Sequence, residues 1–265
     1  MGVAYGVSPE WIDNNTKKWY GIVSGGTVTD GLVLALDAGV SRSYPGSGTT
    51  WTDLSGNGNN GTLVNGVGYN SGNGGSLSFD GVNDYVSNID PGLSNVQVEG
   101  ELTYEYWIQP TQAIYASFTQ STSGISYFTP GTPQGLANQI SYKYNNQTYA
   151  ALLFAFGTNG FVAGAHNNGY APPFLVDYQT YTGISHLTVI KSVYGCSYYI
   201  NGVFKKSATQ SKILGVDPDI VTSSQSNYFG RYFKGNIYSY KFYSRALTAS
   251  EIQQNFNALR GRFGI

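Results

Sequence analysis

Residues Trp51–Leu63 read WTDLSGNGNNGTL, with Gly56, Gly58 and Gly61 interleaved with Asn57, Asn59 and Asn60. Asp53, Ser55 and Asn57 fall at the first, third and fifth positions of a calcium-loop spacing, and Gly58 at the sixth. An EF-hand needs a bidentate Glu at about position 12, and that position is Val64. Two readings of the loop stay open. Asp53 and the Asn residues can satisfy their own backbone through Asx turns, with Gly permitting the bends. Alternatively, Asp53 joins Asp37 and the Asp80/Asn83/Asp84 turn to hold calcium, if the fold brings those loops together.

Around this loop the composition is that of a β protein. The 265 residues include 35 Gly, 23 Tyr and only 11% charged residues, for a net charge of −1. Aromatic and β-branched residues suit a pleated, half-buried surface, and Gly and Asn supply tight turns. Without a basic surplus, nucleic acid and anionic membranes are excluded as expected partners. A lone cysteine, Cys196, excludes a disulfide framework. In GCSYYI it shares a face with Tyr198 and Ile200, which reads as a buried, inert thiol. MGVAYGVSPEW lacks the basic start and apolar core of a secretory signal. No run approaches the roughly 18 apolar residues of a spanning helix. The sequons at Asn14, Asn60 and Asn146 then follow from an Asn/Thr-rich composition.

Residues 1–30 read as a separate N-terminal anchoring arm and linker, ending in SGGTVTDG. Ser8-Pro9-Glu10 is a helix-start signal, and Trp11, Ile12 and Trp19 make a short amphipathic turn expected there. From residue 31 onward short strands alternate with turns: LVLALDA, SLSFDG, YVSNI, LTYEYWIQP, NQISYKY, YAALLFAF, HLTVIKSV, CSYYINGVFKKS and NIYSYKFY. Asn201-Gly202 between alternating apolar runs predicts a type I′ hairpin. One helix is specified near the end, with Thr248 and Glu251 as a capping box, Leu247 stapling onto Ile252, and Gly261 as its stop. The expected class is all-β: a two-sheet antiparallel sandwich over residues 31–265 with one short C-terminal helix.

DLSGNGNNGTLVNG, SLSFDGVNDYV, LTYEYWIQP, YYINGVFKKS and GNIYSYKFYSRALTASEIQ, in that order, resemble the laminin G-like, concanavalin A-like family of jelly-roll domains. The combination of LVLALDAG, SYPGSGTTWTDLSGNGNNGTL and RALTASEIQQNFNALRGRFGI resembles the module of this family found in tailed-bacteriophage structural proteins. That resemblance implies two antiparallel sheets of curved strands, one with a concave face. It also implies that calcium, where present, is held by loop carboxylates and backbone carbonyls.

Glucanases of this fold carry a Glu-x-Asp-x-Glu strand that places acid and nucleophile together. Here the closest approach is Glu101 and Glu105, with Thr103 between them. Both belong on the strand face opposite Tyr104, Tyr106 and Ile108, and a solvated outer face accounts for them. His166 and His186 have no metal-ligand companions and read as surface or hydrogen-bonded core histidines. No Ser-His-Asp arrangement or phosphate loop is present, so no enzyme and no required cofactor is expected.

Sugar recognition needs rings to stack on and planar amides to meet hydroxyls. SYKYNNQTY, HNNGYAPPF, DYQTY and SNYFGRYF offer both, and Asn167, Asn168 and Tyr170 make the leading glycan site. An exposed-looking surface without an export signal fits a protein made in a host cytoplasm and displayed on a virion surface. The expectation is a capsid decoration protein or fibre-like appendage. It would contact other virion proteins through residues 1–30, form a homo-oligomer such as a trimer, and bind a cell-surface glycan. The alternatives are a bacterial carbohydrate-binding lectin module and a divergent glycan hydrolase.

Overall fold

The computed structural model describes residues 26–87, 101–113, 147–164, 173–192, 195–209, 228–231 and 233–265, with strand segments at 12–13, 18–19, 118–120, 126–128, 137–144 and 221–222. In chain order the first strands are β1 (Ile12–Asp13), β2 (Lys18–Trp19), β3 (Leu32–Asp37), β4 (Thr50–Trp51), β5 (Gly61–Val64), β6 (Gly68–Asn70), β7 (Ser76–Asp80) and β8 (Tyr85–Ser87). Then come β9 (Leu102–Pro110), β10 (Phe118–Gln120), β11 (Ser126–Phe128), β12 (Ala137–Tyr144), β13 (Gln147–Gly157), β14 (Gly160–Gly164) and β15 (Pro173–Asp177). The last are β16 (Ser185–Ser192), β17 (Gly195–Ile200), β18 (Val203–Thr209), β19 (Val221–Thr222), β20 (Tyr228–Arg231) and β21 (Lys234–Tyr243), followed by helix α1 (Ala249–Phe263).

Alternating apolar residues make strands that must bury one face, and two large antiparallel sheets bury it against each other. One sheet runs β18-β17-β16-β9-β21-β7-β6, with β3 also on β21. The other runs β15-β14-β13-β12-β20-β8-β5-β4, with β19 also on β12. The core between them takes Leu36, Tyr104, Tyr106, Leu187, Tyr198 and Phe242 from the first sheet and Trp51, Val86, Phe156, Phe161 and Leu175 from the second. Rings from facing or neighbouring strands stack, Phe161 on Tyr198 at 4.3 Å and Tyr106 on Tyr240 at 4.5 Å. This is the two-sheet jelly-roll sandwich the sequence predicts.

The hairpin at Asn201-Gly202 has both central residues at positive φ, 53° and 77°, as a type I′ turn requires. Helix α1 opens on the predicted capping box: the Thr248 hydroxyl accepts from the Glu251 amide, and the Glu251 carboxylate accepts from the Thr248 amide. Leu247 and Ile252 pack together in one buried cluster.

Two expectations are corrected. The helix does not stop at Gly261; it continues to Phe263 and closes on Gly264 in the left-handed region. The extra turn is held because Phe263 stacks on Trp107 at 4.4 Å and Arg262 pairs with Asp37. Where a helical turn is expected near Ile12 and Trp19, the backbone forms the short antiparallel ladder β1–β2, pairing Ile12 with Trp19. Ser8-Pro9-Glu10 lies outside the described residues.

Candidate functional site

Strand β9 carries Glu105 between two core-facing tyrosines. Tyr104, Tyr106 and Ile108 face the core, as their alternation predicts, so Thr103, Glu105 and Trp107 face outward. That outer face is not solvated, which corrects the expectation for Glu105. Helix α1 lies across it, laying Phe256 and Leu259 on Trp107 and Tyr238 and leaving Glu105 1% exposed. Glu101, one turn of the chain earlier, stays exposed.

A buried carboxylate needs partners, and the neighbouring elements supply them. Lys241 Nζ on β21 donates to Glu105 Oε1 at 2.6 Å, and Asn255 Nδ2 on α1 donates to Oε2 at 2.7 Å. His186 Nε2 on β16 lies 3.3 Å from Oε1. Burial alone pushes the Glu105 carboxyl up; Lys241 and His186 more than reverse that and hold it well below the usual range. Glu105 is therefore a locked anion inside a three-strand, one-helix junction. Cys196 is also buried, and burial pushes its thiol up to about 12, far from a reactive thiolate.

The acidic loops resolve residue by residue. Asp53 Oδ1 accepts from the amides of Ala35 and Ser55, and Oδ2 accepts from the Ser55 hydroxyl and the Asn59 amide, all within 3.0 Å. The opening loop is an Asx-turn device that ties β3 to the chain after β4. Asp37 meets a cation instead of another carboxylate: Arg262 Nη1 donates to both its oxygens at 2.8 Å. Asp80 Oδ1 accepts from the amides of Val82 and Asn83, and Asp84 Oδ2 accepts from the Asp80 amide. Among the described residues, no three His, Cys, Asp or Glu side chains gather as a metal set. Asn167, Asn168 and Tyr170, and with them His166, lie outside the described residues.

The DYQTY segment is described, and it builds a loop rim at one end of the sandwich. Its anchor is the buried Tyr198 ring: the Tyr198 hydroxyl donates to the half-buried Asp177 Oδ2 and lies 3.5 Å from the Tyr181 hydroxyl. The Tyr181 amide donates to Thr158 O, and the Thr158 amide to Gln112 O, both at 2.9 Å. A Cβ on Gly160 would lie 2.1 Å from Asp177 O, so glycine is what lets the β13–β14 turn press on this segment. A Cβ on Gly81 would meet Lys234 Cβ at 2.9 Å and Gln112 Oε1 at 3.1 Å, so the Asp80–Asp84 turn packs on residues 112 and 234. On this clamped base Tyr178 stands 75% exposed and Val82 64% exposed, with Gln179 and Thr180 also exposed beside Tyr178. An open ring with amides and hydroxyls around it can stack on the apolar face of a sugar and bond its hydroxyls.

A family model described as the concanavalin A-like lectin/glucanases superfamily matches residues 79–253. The chain belongs to that superfamily. No curated protein sequence matches it. Solved structures with a similar fold include the binding domain of Paraclostridial mosquitocidal protein 1, at 18% identity and TM-score 0.52, covering 87% of this chain and 52% of that one. Trypanosoma rangeli sialidase in complex with sialic acid matches at 13% identity and TM-score 0.55, covering 88% and 33%. Botulinum neurotoxin type C, described as interacting with two ganglioside molecules, matches at 14% identity and TM-score 0.54, covering 88% and 52%. The chain thus spans between a third and about half of the length of these structures, and the likeness is one of fold. Among the described residues, no helix is long and apolar enough to cross a membrane.

The Glu105–Lys241–Asn255 junction and the Arg262–Asp37 pair are absent from the sequence reading. One signal was present. In LTYEYWIQP, Trp107 sits on the same face as Glu105, and a Trp on a supposedly wet face indicates a cover.

Proposed function

We propose that this chain is a non-enzymatic surface module of a tailed-phage particle that binds a glycan through the loop rim around Tyr178. The observation that carries the reading is a contrast between two places. Glu105, the nearest approach in this chain to the Glu-x-Asp-x-Glu strand of glucanases, is sealed under α1 and bound to Lys241 and Asn255. Tyr178, on a rim fixed by the Tyr198–Asp177 hydrogen bond, is open to a ligand. The sialic acid and ganglioside ligands of two proteins with a similar fold support a glycan as ligand. The phage assignment rests on the sequence resemblance and on the low-charge, Tyr- and Gly-rich composition, which suits a displayed surface. Residues 1–30 would meet the neighbouring virion proteins, and the chains would associate as a homo-oligomer on the virion surface.

A glycan array probed with the full chain and with Tyr178→Ala tests recognition. Binding of a defined glycan set that Tyr178→Ala weakens about tenfold is the expected result, matching the loss of one stacking ring. No binding to any glycan would overturn the recognition role. Mass spectrometry of purified phage particles tests the other half: the chain should be a stoichiometric virion component, and its absence would overturn the assignment.

A further inference from the structure

We infer that helix α1 and residues 26–31 form one latch that lifts from the sandwich as a unit, with Asn255 as its joint. Asn255 is fully buried, and both the nitrogen and the oxygen of its side-chain amide are engaged. Nδ2 donates to Glu105 Oε2 on β9 and, at 3.0 Å, to Tyr243 Oη on β21, while Oδ1 accepts from the Val28 amide at 2.7 Å. The Tyr243 hydroxyl in turn donates to Val28 O at 3.1 Å. One side chain thus joins helix, sheet and N-terminal strap.

The strap is held mostly by the helix and its approach. Gln254 Nε2 donates to Gly26 O at 2.6 Å, and Arg245 bridges Asp30 and Glu251 at 2.9 and 2.6 Å. Val28 packs with Tyr243, Leu247 and Ile252. If the helix leaves, the strap loses its bonds to Asn255 and Gln254 and its contact with Ile252, keeping those to Tyr243, Ser244 and Arg245; if the strap leaves, Asn255 Oδ1 is stranded in the interior. Stranding a buried acceptor costs its full desolvation, so neither piece opens cheaply alone.

The surface beneath favours a joint opening. His186 Nδ1, Thr188 Oγ1 and Trp107 Nε1 are buried under α1 without hydrogen-bond partners among the described residues. Water meets these atoms as soon as the helix lifts, returning part of the cost of separation. The sandwich core lies on the other side of β9 and β16 and stays closed. A partner or load acting on the chain before residue 26 therefore acts on α1 and uncovers the Glu105, His186 and Lys241 face.

Hydrogen exchange of the full chain tests this without any ligand. Val28→Pro removes the strap amide that Asn255 accepts, and helix amides within 253–259 should then exchange about tenfold faster, while those of 187–190 on β16 keep their rate. Tyr243→Phe, which deletes one hydroxyl, should speed strap and helix together by a smaller factor and serves if the proline variant does not fold. Helix rates unchanged in these variants would mean strap and helix open independently. Amides of 187–190 accelerating in step with the helix would mean one global unit. Either result overturns the latch.

Discussion

Replacing Lys241 with Met tests the buried junction most severely. Lys241 Nζ lies 2.6 Å from Glu105 Oε1, and both side chains are 1% exposed, so the variant leaves a carboxylate in the interior without its main counter-charge. Removing one partner of a buried pair costs about 3–5 kcal/mol, against about 1 kcal/mol or less for an exposed pair. For a domain of this size that corresponds to a melting point lower by roughly 10 °C. The pH dependence gives a second check. In the native chain the Glu105 carboxyl is held below its unfolded value, so its contribution is present above about pH 4.3 and is lost only as pH falls through the lowered folded value. In Lys241→Met the desolvation that favours the neutral acid loses its main opponent, with His186 and the Asn255 amide left against it, and the carboxyl moves up. The deficit relative to the native chain should then be greatest at neutral pH and shrink on acidification. Glu105→Gln with Lys241→Met keeps an acceptor for Asn255, removes the charge, and should recover most of the loss. Thermal and urea unfolding between mild acid and neutrality reads all three proteins. A single variant as stable as the native chain at neutral pH, or a deficit that grows in acid, would refute the reasoning.

Three further outcomes are expected. Thr248→Ala removes the hydroxyl that accepts from the Glu251 amide, leaving only the backbone half of the capping box, and should cost about 1 kcal/mol, a fall of about 2–4 °C by calorimetry. Asp53→Ala strands the Ala35, Ser55 and Asn59 amides and should open the 53–60 loop to limited proteolysis at temperatures where the native loop survives. Because those donors already fill the Asp53 carboxylate, millimolar calcium should leave the native melting point unchanged; a rise that Asp53→Ala abolishes would put a cation at that loop.

The sandwich was legible because its signals are local. LTYEYWIQP alternates over the span that becomes β9, Asn201-Gly202 can satisfy a type I′ turn by itself, and Thr248 with Glu251 caps a helix within four residues. What the sequence hid depends on distant segments meeting. Glu105 reads as wet until α1, some 150 positions later, is laid across it. Asp37 is, from sequence, only a candidate in one of two loop readings, and its pairing with Arg262 from the end of the helix is visible only in the fold. Gly261 reads as a stop because propensity favours one there, and the packing of Phe263 on Trp107 overrides it. Tyr178 lay within a quoted segment, yet only the Tyr198–Asp177 anchor distinguishes it from the many rings that merely cover strands.

With Glu105 sealed under α1, the proposed role of this superfamily member is to hold glycans without cleaving them. The most direct measurement incubates the full chain with its best array glycan and weighs the recovered ligand by mass spectrometry alongside a binding isotherm. Saturable binding with ligand of unchanged mass is the predicted result. Shortened oligosaccharide accumulating with time, and lost in Glu105→Gln, would contradict it.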